Sequence, residues 1–173
     1  MSVVIKNIIR IFILLFFQVF IVTRIPPLHQ FIVPYFYFVL ILWLPFKISR
    51  INLMLVGFLI GSAVDWFFKT PGLHAAASLL IAYLRPFVIN LLLPKEATEW
   101  GVEEPSNKTM GSVSYSVYII ILTILHHAYL IFLEWLQFGS FLYFIAKLFA
   151  TGLVSLLLIL IADLFFNKKS TLR

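Results

Sequence analysis

Six ionisable side chains stand inside long apolar runs: Asp65, Arg85, His126, His127, Lys147 and Asp163. A charge at membrane depth costs at least a few kcal/mol, so each needs a chemical reason. Intramembrane aspartyl proteolysis needs two carboxylates at one depth, but Asp65 and Asp163 fall toward opposite faces in the arrangement argued below. Adjacent histidines on a helix point about 100° apart, so His126 and His127 do not chelate a metal together. Hydrogen bonds across a bundle, or the lining of a polar cavity, are the readings open to them, with Lys147 at a comparable depth. Arg85 either pairs with Asp163 in the same leaflet or extends its head to the interface. There is no cysteine, hence no thiol nucleophile or thiolate metal site. No nucleophile elbow, His-Glu-x-x-His run, phosphate loop or acid-rich diphosphate motif occurs. The residues predict no enzyme, no cofactor and no bound metal.

The elements that carry these side chains follow from composition. Of 173 residues 62% are apolar and 12% charged, about half the charge fraction of a soluble domain. Mean hydropathy is +1.06. A soluble enzyme, a disordered chain and a disulfide scaffold are excluded, and one polytopic α-helical membrane domain remains. Spans of about 20 residues fit over about 4–23, 31–46, 51–68, 73–93, 113–136 and 141–166, six in all. The run 31–46 is short and contains Pro34 and Pro45; it reads as a steep span or a re-entrant segment, and the charge count favours a span. Pro86 predicts a kink in the fourth helix. Trp43, Trp66 and Trp135 fall at expected helix ends, where aromatic belts form.

With six spans both termini share a side. Lys6, Arg10, Lys47, Arg50, Lys95, Lys108, Lys168, Lys169 and Arg173 lie there, against Arg24 and Lys69 opposite. That asymmetry predicts cytoplasmic termini. The net charge of +6 is scattered, so it reads as topology signals beside anionic lipid and not as a nucleic-acid surface.

Two further features suggest contacts. Gly57, Gly61 and Asp65 recur every four residues on one helix face, where small residues admit close helix approach. The stripe either packs against the fourth or sixth helix or receives a partner's single helix. Asp65 at its end is an interfacial cap, an ion-pair partner of Lys69, or an anchor for the Lys69-Thr70-Pro71-Gly72 turn or for a partner. The sustained polar stretch 94–112 carries Glu96, Glu99, Glu103 and Glu104 and reads as a cytoplasmic contact loop.

Gly57-x-x-x-Gly61-x-x-x-Asp65, then Thr70-Pro71-Gly72-Leu73-His74-Ala75, Ala82-Tyr83-Leu84-Arg85-Pro86, an acidic linker and a His126-His127 span form a pattern. It resembles the MreD family of rod shape-determining proteins, in its Bacteroidetes-like form, over nearly the whole chain. The resemblance implies a non-enzymatic inner-membrane subunit of the cell-elongation machinery that supports peptidoglycan synthesis. Its implied partners are an MreC-like bitopic protein, the MreB filament and the RodA–PBP2 synthase, within the lipid bilayer. The implied fold is similar to the S-components of energy-coupling-factor transporters. A vitamin-type substrate-binding transporter subunit is therefore the alternative. Against it, the outer loops are short and apolar: 24–30, 69–72 and 137–140.

Overall fold

On α7 (Phe141–Phe166) the side chains turned inward are Lys147, Thr151, Ser155, Ile159 and Ala162, while Phe149, Leu153, Leu157, Leu160 and Leu164 face out. On α1 (Val3–Phe20) Asn7, Arg10, Leu14 and Gln18 are buried, and Phe12, Phe16 and Phe20 are exposed. Both helices thus carry their polar groups inside and their large apolar groups outside. Water would penalise that arrangement, because contiguous exposed apolar faces of this size drive association. A hydrocarbon solvent favours it, since polar groups must there find partners within the protein.

The computed structural model describes residues 3–22, 32–93, 104–136 and 140–166. All regular structure among them is helical. In addition to α1 and α7 there are α2 (Val39–Leu42), α3 (Arg50–Phe68), α4 (Leu73–Leu92), α5 (Asn107–Met110) and α6 (Ser112–Trp135). Four helices, α3, α4, α6 and α7, are long and apolar enough to cross a membrane. The chain is a helical membrane protein. Its long helices begin and end close to the boundaries expected from the apolar runs, and α4 continues as one helix through Pro86.

α3 and α4 form a close antiparallel pair, α4 also packs on α6, and α6 on α7. One end of the bundle carries the α3–α4 turn and is called the turn end. The other carries Arg50, Glu104 and the end of α7, and is called the charged end.

The segment 31–46 differs from a membrane-length helix. Its described part is irregular over 32–36, turns, forms the single helical turn α2, and ends at Pro45. It is also the most buried stretch among the described residues, with Tyr37, Phe38, Val39, Ile41 and Leu42 at 0% exposure. It threads the interior from end to end. The Tyr35 ring packs on Phe68 and His74 at the turn end, and the Trp43 ring lies beside Phe166 at the charged end. Pro34 cannot donate a helical hydrogen bond and biases its predecessor toward extended backbone. Backbone outside a helix can rise more than the helical value of about 1.5 Å per residue, so fewer residues cover the distance. Such backbone is tolerated at membrane depth only where protein surrounds it. Trp43 is accordingly a core residue, 1% exposed, and not part of an aromatic belt.

Candidate functional site

At the turn end Asp65 organises the start of α4. Its Oδ1 accepts from the Thr70 hydroxyl (3.0 Å), the His74 amide (2.9 Å) and His74 Nδ1 (2.9 Å). Its Oδ2 accepts from the amides of Gly72 (3.1 Å) and Ala75 (2.9 Å). A carboxylate from α3 thus caps the first turn of α4, where unpaired amides and the helix dipole favour a negative charge. The chain reverses through Lys69 (φ 56°) and Gly72 (φ 87°), both left-handed. Of the readings for Asp65, the cap and the anchor for the 69–72 turn share this geometry, whereas the ion pairs among the described residues do not join it to Lys69, which is exposed.

The glycine stripe faces α4. A Cβ on Gly61 would lie 2.5 Å from both the Ala75 Cα and the His74 carbonyl oxygen, and one on Gly57 would lie 3.0 Å from the Ala82 Cβ. Backbone therefore occupies the space beside Gly61, and this approach lets Asp65 reach the α4 amides.

The histidines serve two different neighbours. His126 Nε2 bonds the Tyr37 hydroxyl at 2.9 Å and its ring stacks on Phe38 at 4.2 Å. His127 Nδ1 meets the Thr123 carbonyl (2.9 Å) and its Nε2 meets Ser155 Oγ (2.9 Å). A carbonyl only accepts, so Nδ1 of neutral His127 carries the proton and Nε2 accepts from the Ser155 hydroxyl. Ser155 Oγ in turn accepts from the Tyr35 amide at 3.2 Å. Among the described residues no group of three metal-ligating side chains forms.

At the charged end Arg85 and Asp163 do not meet. Each reaches a tyrosine of α6 instead. Arg85 Nε donates to Tyr118 (2.9 Å) and its Nη2 to the Leu44 carbonyl; Tyr118 donates to the Leu42 carbonyl (2.8 Å). Trp43 Nε1 donates to Tyr115 (2.9 Å), which donates to Asp163 (2.6 Å). Shared depth gave the expected pair, but the side chains leave their helices toward different neighbours. Lys147 pairs with Glu134, joining α7 to α6.

Of the acidic loop residues, Glu96, Glu99 and Glu103 lie outside the described residues. Glu104 accepts from Lys6 (2.9 Å), Arg10 (2.7 Å) and Asn7 (3.4 Å), which fastens the loop to α1. Burial alone would raise its carboxyl pKa. The hydrogen bonds from Lys6 and Arg10, and their charges, outweigh that and hold it below the usual value.

Several of these contacts serve the threaded segment. Gln18 is the clearest case: its amide donates to the Pro34 carbonyl (3.1 Å) and accepts from the Phe36 amide (2.9 Å), as a strand neighbour would. Ser155, Tyr118 and Arg85 serve Tyr35, Leu42 and Leu44. The candidate network of Arg85, His126, His127, Lys147 and Asp163 is thus split into separate braces. Gln18, Tyr37, Tyr115, Tyr118, Glu134 and Ser155, unremarked in the sequence, complete them.

A surface groove of about 630 Å³ adjoins the turn end, lined by Phe58, Ser62, Asp65, Trp66, Lys69 and neighbouring turn residues. In comparisons with known proteins, no family model, no curated protein and no solved structure matches the chain.

Proposed function

We propose that the chain is a non-enzymatic membrane subunit of the bacterial cell-elongation machinery, of the MreD type. It crosses the inner membrane six times with both termini cytoplasmic, the threaded segment serving as the second pass. It binds an MreC-like bitopic partner and acts beside the MreB filament and the RodA–PBP2 synthase. The observation that supports this reading is the coherence of residues 57–86, which carry the resemblance. Gly57 and Gly61 admit α4, Asp65 caps it, and Arg85 holds the end of the threaded segment. These side chains build a rigid bundle; Asp65 and Asp163 sit at opposite ends of it, and a scaffold works by presenting such a body to other helices.

The transporter alternative has one feature on its side, the groove of about 630 Å³ at the turn end. Both Asp65 oxygens at its wall are already engaged by α3–α4 donors, which leaves little polar chemistry to orient a vitamin.

Depletion of the chain in its own host tests the proposal. Loss of rod shape with slowed side-wall peptidoglycan insertion is expected. Unchanged shape with a growth requirement for an external vitamin favours the transporter reading.

A further inference from the structure

Arg85 is a buried cation whose described partners are all neutral. Its side chain is 1% exposed. Nε donates to the Tyr118 hydroxyl and Nη2 to the Leu44 carbonyl. None of the ion pairs among the described residues includes Arg85. A buried guanidinium in that state carries a desolvation cost that an anion would relieve.

Arg85 also lines a cleft of about 210 Å³ at the charged end, together with Arg50 and Asn90. No carboxylate among the described residues lines it. Arg50 is the first residue of the 19-residue helix α3, so the positive end of that helix adjoins the same cleft. Two planar guanidinium groups, an amide and a helix start are the chemistry that binds oxyanions of phosphate type. The cleft lies where α3 begins and α4 is within two turns of its end. Helix ends mark the level of headgroups in a bilayer.

We propose that this cleft is a phosphate-binding site, with Arg85 as its inner ligand and Arg50 as its outer one. A phospholipid headgroup and free phosphate share that chemistry, and at this depth the headgroup of an anionic lipid is the occupant. The inference needs only the membrane reading, not the elongation partners.

The test uses the full purified chain in detergent, stripped of native lipid, with three probes: dioleoyl phosphatidylglycerol, dioleoylglycerol and inorganic phosphate. Native mass spectrometry reads retention. Phosphatidylglycerol retained over dioleoylglycerol, and not displaced by millimolar phosphate, identifies a lipid headgroup. Binding of inorganic phosphate with the same dependence on the arginines keeps the phosphate site and replaces the lipid by a free anion. In either case Arg50→Gln lowers retention by about tenfold, the worth of one hydrogen bond to a charged group. Arg85→Lys keeps the charge, loses the planar fork and lowers retention as well. Should Arg85→Lys fail to fold, the exposed Arg50 decides alone. Equal retention of both lipids without phosphate binding overturns the proposal, as does retention unaffected by Arg50→Gln. Phosphate or lipid binding only after Glu96→Gln, Glu99→Gln and Glu103→Gln together also overturns it, because the chain's own loop then fills the cleft.

Discussion

Replacing Asp65 by Asn changes one oxygen to an amino group and removes a charge. Every neighbour of the carboxylate is a donor: Thr70 Oγ1 and two His74 nitrogens on one oxygen, the amides of Gly72 and Ala75 on the other. An Asn side chain can turn its NH₂ to either side. Toward Gly72 and Ala75 it meets two amides, which only donate; toward Thr70 and His74 the hydroxyl can turn to accept and Nδ1 can accept in the other neutral tautomer, so only the His74 amide is opposed, and this is the least disruptive choice. The His74 amide then loses a hydrogen bond to a charged acceptor, worth about 1.5–3 kcal/mol, and the bonds from Gly72 and Ala75 fall to neutral strength, about 1 kcal/mol weaker each. The loss is therefore about 3–5 kcal/mol, a large share of ordinary folding stability. Thermal unfolding in detergent, followed by the monodisperse fraction after heating, is the assay. At about 2 °C per kcal/mol for a chain of this size, a fall of at least about 6 °C is expected. Lys69→Ala, which removes the exposed cation, serves as the control and leaves the transition in place. An Asn variant within about 2 °C of the parent would refute the reasoning, because Asp65 would then not be holding α4 and would be available to something outside the chain.

Gly61→Ala is expected to cost more than Gly57→Ala, because its Cβ meets backbone at 2.5 Å, against 3.0 Å from the Ala82 Cβ and 3.1 Å from the Ser78 carbonyl oxygen at Gly57; folded yield after detergent extraction ranks them, with overpacking worth about 1–3 kcal/mol or more. Gln18→Leu leaves the Phe36 amide and Pro34 carbonyl without their partner, and hydrogen exchange at Phe36 should rise while that of α3 is unchanged. Glu104 has a folded pKa below its ordinary value of 4.5, so its stabilising pairing is complete above that pH and is lost as pH falls toward the folded pKa. Glu104→Gln should therefore lower stability at pH 7 and flatten its decline on acidification, read from transition temperatures between pH 7 and 3.

The helices α3, α4, α6 and α7 are legible in the sequence because each is a predominantly apolar run of spanning length. The threaded segment is not, since hydropathy responds alike to lipid and to a protein interior; Tyr35 to Leu44 is apolar because it is surrounded by protein. The same ambiguity hides Trp43, whose expected place at an interface gave way to a core position with its indole on Tyr115. Asp65 is legible as an anchor because the glycine spacing and the turn 69–72 stand next to it in the chain. Arg85 and Asp163 are legible as costly groups but not as to partner: depth along a helix follows from residue count, whereas direction around it depends on packing. Gln18, Tyr118 and Ser155 escape because a census of charges overlooks neutral donors and acceptors, and it is these that satisfy broken backbone inside a bundle.

The proposed role is that of a helix-binding subunit of the elongation machinery. Affinity capture of the tagged full chain from native membranes, followed by identification of what remains bound at fixed stoichiometry, tests it most directly. An MreC-like bitopic protein is expected among the retained partners. Capture of an energising ATPase pair, or of a bound vitamin with no bitopic partner, would contradict it.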